Sequence, residues 1–159
     1  MTQKVKPCLW FDGQAEQAAK YYVSLLPDSR IDQVFRSPAE TPSGPAGMVL
    51  AVDFTLAGSK FSGLNGGPQF PFTEAVSFQI VCEDQAEVDR LWKALGDAGT
   101  LSQCGWLKDR WGLSWQIVPK RLFELLGDAN PARAKRAMEA MLKMQKLNIG
   151  EIERAADRA

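Results

Sequence analysis

The residues best suited to chemistry in this chain are uncharged polar side chains that alternate along two apolar segments. Ser77 and Gln79 lie in one segment, and Ser114 and Gln116 lie in the other. Strand alternation would place each pair on one face of its strand. Hydroxyl and amide groups between apolar walls orient small ligands through hydrogen bonds. The pattern predicts a neutral ligand-binding face, with the alternative that these groups only satisfy one another or water.

The sequence of 159 residues contains no histidine. Imidazole is the usual general base near neutral pH and a common ligand of zinc, nickel and iron. Nucleophiles that depend on histidine are therefore excluded, and no spacing brings two acidic residues into one site. We predict no metal and no cofactor, and the sequence identifies no catalytic residue.

The cysteines Cys8, Cys82 and Cys104 are widely spaced and odd in number. This arrangement favours reduced thiols over a disulfide framework or a zinc site. We interpret them as small buried side chains. Cys104 is the strongest candidate for a reactive thiol because Lys108 and Arg110 are close to it in sequence.

The remaining polar and aromatic candidates have simple structural explanations. Asp109 occupies a predicted hairpin, where a turn hydrogen bond is its simplest role. Glu74 lies before a predicted strand, and a capping or solvated role explains this residue more simply than acid–base catalysis does. Most of the five tryptophans are expected in the core. Trp106 and Trp111 are the exceptions, since we predict both at the edge of the binding cleft.

Composition limits the functional classes. The chain is 45% hydrophobic, and its 19 basic residues balance 19 acidic ones. It can therefore bury a core, but it has no net field that attracts nucleic acid or an anionic membrane surface. No apolar run approaches the roughly 18 residues of a membrane span, and no signal peptide is recognised. We expect a cytoplasmic protein that binds neither nucleic acid nor membranes.

The first half of the chain has the pattern of a strand, a helix and three further strands. Apolar runs and turn residues bound these elements. The predicted ranges are 5–11, 14–26, 31–36, 48–56 and 61–64. Apolar residues at helical spacing would pack the helix on one face of the sheet, which leaves the other face free to line a cleft.

The second half repeats this order after a turn-rich linker. Asp84 is placed to cap the second helix, and glycines follow that helix. The predicted ranges are 75–81, 85–95, 100–103, 105–108 and 113–118. The chain is therefore predicted to be α+β, with two βαβββ modules at about 5–64 and 75–118, joined by the linker 65–74.

The residues after Pro119 are predicted to form helices at 121–126 and 132–147. We therefore divide the chain into a paired βαβββ domain, 1–119, and a C-terminal helical extension, 120–159. Apolar positions from Met138 and Leu142 to Ile152 predict an amphipathic surface. This surface would cover either its own sheet or a second subunit, and we expect a homodimer.

Three segments in this order resemble one known family. They are VKPCLWFDG at 5–13, LNGGPQF at 64–70 with EAVSF at 74–78, and CGWLKDRWGLSWQIVP at 104–119. They are similar to the PhnB-like branch of the vicinal-oxygen-chelate superfamily, which includes glyoxalases, bleomycin-resistance proteins and dioxygenases. The resemblance implies two modules whose mixed sheets form a cleft. Some members carry the name 3-demethylubiquinone-9 3-methyltransferase.

The resemblance also implies where metal-using relatives hold their ion. The matching positions are Pro7, Ser77, Gln116 and either Ser62 or Asn65. These groups are neutral, so transition-metal affinity should be low. The resemblance therefore implies a dismantled metal site and adds Asn65 to the predicted ligand-binding residues.

The leading hypothesis is a metal-independent protein that binds an unidentified small molecule. One alternative is a metal-dependent lyase or dioxygenase of the same superfamily, and another is the methyltransferase of the family name. That name lacks support in the sequence because the only glycine-rich segment, 65–68, joins two strands and contains proline. The last alternative is a structural or interaction protein that acts through its helical tail.

Overall fold

The computed structural model of the protein describes residues 2–158. The chain divides into two compact units, 1–71 and 72–159. Each unit contains a four-stranded mixed sheet. None of the described helices combines the length and hydrophobicity that a membrane span requires. The cytoplasmic location stays a prediction.

The first unit is a βαβββ module. Its elements are β1 (Cys8–Phe11), α1 (Ala15–Val23), β2 (Arg30–Arg36), β3 (Val49–Leu56) and β4 (Ser59–Asn65). The strand order is β1-β4-β3-β2, with β1 parallel to β4 and the other pairs antiparallel. Tyr22 of α1 packs on Phe54, whose ring stacks on Phe61 at 5.4 Å. This aromatic contact fixes the helix to one face of the sheet.

The second unit begins with the same arrangement. Its elements are β5 (Ser77–Cys82), α2 (Gln85–Gly96), β6 (Thr100–Leu101), β7 (Trp106–Lys108) and β8 (Ser114–Pro119). The order is β5-β8-β7-β6, with β5 parallel to β8. The Asp84 carboxylate accepts from the N–H of Glu87 and caps α2, as the sequence predicts. The predicted α+β class with paired βαβββ modules is confirmed.

The C-terminal residues form three helices instead of the two predicted. They are α3 (Lys120–Leu126), α4 (Pro131–Met141) and α5 (Ile149–Asp157). The predicted helix 132–147 is wrong beyond Met141. The carbonyls of Met144 and Gln145 leave the helical pattern and accept the N–H groups of Cys104 and Gly105. Asn148 then starts a new helix, because its side chain accepts from the N–H of Glu151.

These helices pack on the second module of their own chain. Val118 of β8 forms one buried cluster with Leu122 and Leu125 of α3 and with apolar residues of the tail, which are Ala137, Leu147, Ile152 and Ala156. Gln85 at the start of α2 donates to the Leu147 carbonyl and accepts from the Ile149 N–H. The tail therefore covers its own unit. The domain boundary at 119/120 stays a prediction.

The exposed side of the tail differs from the predicted amphipathic surface. Met138 and Leu142 are 40% and 57% exposed, whereas Ala137 and Leu147 are fully buried. The prediction assumed that one continuous helical spacing of apolar residues runs from residue 138 to residue 152. The break after Met141 resets that period, so Leu142 points outward while Leu147 enters the core.

Candidate functional site

The predicted polar residues of the second module share one face of its sheet. In the parallel β5–β8 pair, Ser77 lies opposite Ser114 and Gln79 lies opposite Gln116. In the antiparallel β7–β8 pair, Trp106 lies opposite Gln116. Side chains directly opposite each other project from the same face. The structure therefore brings together the four predicted polar residues and Trp106, and only Asn65 of the predicted ligand-binding residues lies elsewhere.

Three of these side chains are hydrogen-bonded to one another. Gln116 donates to the Ser77 hydroxyl at 2.8 Å, and Gln79 donates to Gln116 Oε1 at 3.1 Å. This chain fixes the orientation of the Gln116 amide. It also satisfies part of the polar face internally, which is the alternative that the sequence left open.

Ser114 differs from its neighbours because its hydroxyl is buried without a partner. The residue is 1% exposed, and no group within residues 2–158 makes a hydrogen bond to its Oγ. An unsatisfied buried hydroxyl costs about 1–3 kcal/mol. Native proteins rarely retain such a group without water, an ion or a ligand to satisfy it.

Ser114 lines a cavity of about 250 Å³ on this face. Trp106 contributes an apolar wall on this face, whereas the side chains of Leu101 and Leu107 project from the other face, toward Gly96 of α2. The remaining lining residues are polar or charged. The full lining is Glu74, Thr100, Leu101, Ser102, Trp106, Leu107, Lys108 and Ser114. Small-molecule sites usually combine apolar walls with converging polar groups, and this cavity supplies both.

The rim of the cavity carries a charged pair that sequence reasoning missed. Lys108 Nζ lies 2.5 Å from Glu74 Oε1. The hydrogen bond from Lys108 holds the pKa of Glu74 below its ordinary value. Lys108 lies directly opposite Ser114 across β7–β8, so the face is not wholly neutral. Only the strand register reveals this placement, because the sequence places Lys108 at the end of the predicted strand 105–108 and Glu74 just before the predicted strand 75–81.

Asn65 lies in the first module and has both polar groups in use. It is 3% exposed. Its Oδ1 accepts from the N–H of Ala15 at the start of α1, and its Nδ2 donates to the Val49 carbonyl, both at 2.9 Å. These bonds tie α1 and β3 to the end of β4. A ligand contact at Asn65 stays a prediction.

A second polar cluster lies on the open face of the first sheet. The Ser62 hydroxyl donates to Asp53 at 2.5 Å, and Lys6 Nζ lies 3.0 Å from the same carboxylate. Burial acts to raise the pKa of Asp53, but the Ser62 hydrogen bond and Lys6 outweigh it, so the pKa lies below its ordinary value. The cluster is internally satisfied.

The turn before β8 gives Asp109 the structural role that its position predicts. Its Oδ1 accepts the N–H groups of Trp111 and Leu113 at 2.9 and 3.0 Å. The Trp111 ring lies beside Arg110, with 5.5 Å from the guanidinium carbon to the ring centroid. Trp111 is absent from the cavity lining, whereas Trp106 is part of it.

The three cysteines are free thiols in different surroundings. Cys82 is buried, Cys104 is half-buried and Cys8 is exposed. The prediction of buried thiols is therefore wrong for Cys8, which lies opposite Ser62 on the open face of its sheet. Burial raises the pKa of Cys82 to about 12, and the Glu87 carboxylate adds to the rise. Such a thiol is unreactive at neutral pH.

A family model described as 3-demethylubiquinone-9 3-methyltransferase matches residues 3–118. The chain belongs to this family. A PhnB protein from Bacillus cereus whose structure carries the same methyltransferase name is 32% identical. The match covers 74% of this chain and 99% of that chain, with a TM-score of 0.67. The resemblance to the PhnB-like branch is confirmed.

A structure from Pseudomonas aeruginosa shares the fold of this family member. It is 18% identical, with coverage of 74% of this chain and 98% of that chain and a TM-score of 0.62. No curated protein matches the sequence. The family match ends at residue 118, so the three C-terminal helices lie beyond it.

The glycine-rich segment of this family member does not fit the cofactor cradle of a methyltransferase. A Cβ on Gly66 would lie 2.2 Å from the Trp10 ring, and Trp10 Nε1 donates to the Gly67 carbonyl at 2.8 Å. The glycines therefore make room for an indole. The first N–H of α1, on Ala15, is already satisfied by Asn65.

The metal-ligand positions that the resemblance implies do not fit a transition metal here. Pro7 offers no side-chain ligand, Ser62 donates to Asp53, and Ser77 accepts from Gln116. Within residues 2–158, no group of three or more His, Cys, Asp and Glu side chains is arranged to hold a metal ion. Neutral amides and hydroxyls are poor ligands for zinc, nickel or iron.

Proposed function

We propose that this family member binds a small molecule in the cavity at β7 and β8, without a metal. The unpartnered Ser114 hydroxyl carries the proposal. It lies on the cavity wall and is 1% exposed, so a bound molecule would satisfy a group whose burial otherwise costs free energy. Trp106 supplies a flat apolar surface beside it.

The dimensions support a ligand of modest size. Ligand pockets commonly enclose about 300–1,000 Å³, and this cavity of about 250 Å³ lies just below that range. Ser77, Gln79 and Gln116 form the polar surface next to it. We assign them the role of orienting the part of the ligand that extends beyond the cavity.

The two enzyme alternatives have less support than ligand binding, because the side chains present are not suited to hold a metal or a cofactor. A metal-dependent lyase or dioxygenase would need ligands of a kind that positions 7, 62, 77 and 116 do not offer. The methyltransferase activity in the family name would need a cofactor site, but the Trp10 ring packs against Gly66 and its N–H donates to the Gly67 carbonyl. Neither alternative accounts for the Ser114 hydroxyl.

The homodimer remains part of the proposal. Val81 and Phe123 are 50% and 45% exposed, and a second subunit would cover them in the proposed dimer. Light scattering coupled to size-exclusion chromatography tests this part. A molar mass of twice 17.6 kDa would support it, and a mass of one chain at all concentrations would overturn it.

A fragment screen by ligand-observed NMR on the full chain tests the binding site. The hits are then measured on Ser114→Ala and Trp106→Leu, with Ser24→Ala as the control because the Ser24 hydroxyl is exposed and donates to the Tyr21 carbonyl. We expect binding to weaken in the first two variants only. Hits that bind all variants equally would place the site elsewhere.

Elemental analysis after dialysis tests the metal-free part of the proposal independently. We expect no transition metal at stoichiometric level. Stoichiometric zinc, nickel or iron would overturn metal independence and return the chain to the metal-dependent lyases and dioxygenases.

A further inference from the structure

We infer that the ligand of this cavity carries a carboxylate, which binds to Lys108 and Ser114 in the place that Glu74 now occupies. The inference rests on the proposed function, because it names the chemical class of the molecule that the cavity binds. Three observations carry it: the register of β7 and β8, the unpartnered hydroxyl, and the charged pair at the rim.

The register brings a cation and a hydroxyl donor to one point. Lys108 and Ser114 are directly opposite in the antiparallel β7–β8 pair, and both line the cavity. Side chains at such positions have Cβ atoms about 4.5–5.5 Å apart on one face. A lysine and a hydroxyl at this spacing both donate hydrogen bonds, and together they suit an acceptor with two oxygen atoms and a negative charge.

A carboxylate of the protein itself already contacts one of these two donors, Lys108. Glu74 Oε1 lies 2.5 Å from Lys108 Nζ, whereas the Ser114 hydroxyl has no partner within residues 2–158. Glu74 therefore satisfies the cation and leaves the hydroxyl unsatisfied. A ligand carboxylate that entered the cavity could reach both groups.

Displacement of Glu74 should cost little free energy. Its side chain is 64% exposed and that of Lys108 is 37% exposed. Exposed ion pairs contribute little to stability because water solvates the separated charges well. Glu74 lies in the turn before β5, so it can move into solvent without disrupting a strand.

The other residues that line the cavity indicate the chemistry of the rest of the ligand. Trp106 lines the cavity on the face that carries Lys108 and Ser114, and its flat apolar ring favours an aromatic or aliphatic body attached to the carboxylate. One lysine and one hydroxyl are few donors for a phosphate group, whose usual sites include arginine forks or several backbone N–H groups. The chemistry thus favours a small monocarboxylic acid.

The test uses phenylacetate and its uncharged isostere phenylacetamide as probes. Titrations of the ¹⁵N-labelled full chain follow the amides of Lys108 and Ser114 and the indole N–H of Trp106. We expect phenylacetate to bind at least about tenfold more tightly than phenylacetamide. Lys108→Met should remove this preference, and Lys108→Arg should retain most of it.

The decisive variant is Glu74→Gln. It removes a negative charge that competes for Lys108, so we expect it to strengthen phenylacetate binding about threefold or more and to leave phenylacetamide unchanged. Glu83→Gln is the matched control, because Glu83 pairs with Lys120 outside the cavity. Thermal melts of each variant show whether it remains folded.

The outcomes separate the inference from the proposed function. Preferential binding of the amide, sensitive to Ser114→Ala but not to Lys108→Met or Glu74→Gln, would overturn the carboxylate and leave the binding site in place. No perturbation by either probe in the wild-type chain or in Glu74→Gln would overturn both. Unchanged or weaker phenylacetate binding in Glu74→Gln would overturn the exchange with Glu74.

Discussion

The indole N–H of Trp115 donates to Oδ2 of Asp109 at 2.9 Å. Both residues are buried, at 2% and 3% exposure. The other carboxylate oxygen accepts two backbone N–H groups of the turn that precedes β8. One side chain thus fixes the start of β8, and with it the position of Ser114, to the core of the second module.

We expect Asp109→Ala to destabilise the protein by about 2–4 kcal/mol, because it leaves the Trp115 indole and two turn amides without their acceptor. Urea unfolding measures the change. Asp97→Ala is the control, since Asp97 is an exposed partner of Arg110, and its effect should stay within about 1 kcal/mol. Equal effects of the two substitutions would contradict the structural role of Asp109.

Two glycines with nearly the same φ angle should respond differently to alanine. Gly105 and Gly112 have φ of +83° and +87°. A Cβ on Gly105 would lie 2.8 Å from the Ile117 carbonyl oxygen and 3.1 Å from Leu147, whereas Gly112 has nothing within 4 Å. We expect Gly112→Ala to lower the free energy of unfolding by about 1–2 kcal/mol, because alanine is strained in a left-handed backbone.

Gly105→Ala should cost about 1–3 kcal/mol more than Gly112→Ala, because overpacking adds to the same strain. Differential scanning calorimetry compares the two variants. If Gly112→Ala proved the more destabilising, the close packing of Leu147 on β7 would be incorrect.

The packing of the tail is tested by two leucines five residues apart. Leu147 is fully buried and Leu142 is 57% exposed. We expect Leu147→Ala to lower the free energy of unfolding by about 2–5 kcal/mol and Leu142→Ala to change it by less than about 0.5 kcal/mol. Chemical denaturation decides between this packing and one in which the extension is detached, where both substitutions would be nearly silent.

The buried thiol of Cys82 should make stability depend on pH in the alkaline range. Its pKa rises from 9.0 to about 12 in the folded protein because of burial. The stability that the protonated thiol contributes is complete below the unfolded pKa of 9.0. It is lost as pH rises toward 12, because in that range the unfolded chain releases the thiol proton and the folded chain retains it.

Between pH about 8 and about 10 the native protein should therefore lose about 1 kcal/mol more stability than Cys82→Ala. The comparison cancels the titration of lysines and tyrosines, which both proteins share. Parallel pH profiles of the two proteins would show that Cys82 is not buried as described.

Local signals predicted most of the module order. Ala57 and Gly58 both have positive φ, at 48° and 81°, which matches the tight turn expected between β3 and β4. Asp84 caps α2 because a carboxylate three residues before an N–H is a purely local arrangement. Such features depend on neighbouring residues, so one sequence suffices to place them.

The features that the sequence missed depend on residues far apart in the chain. Residues 142–147 continue a helical spacing of apolar side chains, but the carbonyls of Met144 and Gln145 accept the N–H groups of Cys104 and Gly105 instead. Likewise, Lys108 joins the candidate site only through the register that sets it opposite Ser114. Hydrophobic periodicity cannot show a partner 40 residues away.

The hydrogen bonds from Cys104 and Gly105 to Met144 and Gln145 also constrain the order in which the chain folds during synthesis. A chain grows from its N-terminal end at about 5–20 residues per second, and 40 residues separate each donor from its acceptor. The first module has all its strands by Asn65 and can close early. The two bonds that precede β7 in the second module can form only after the ribosome has added residue 145, so the extension completes this part of the module.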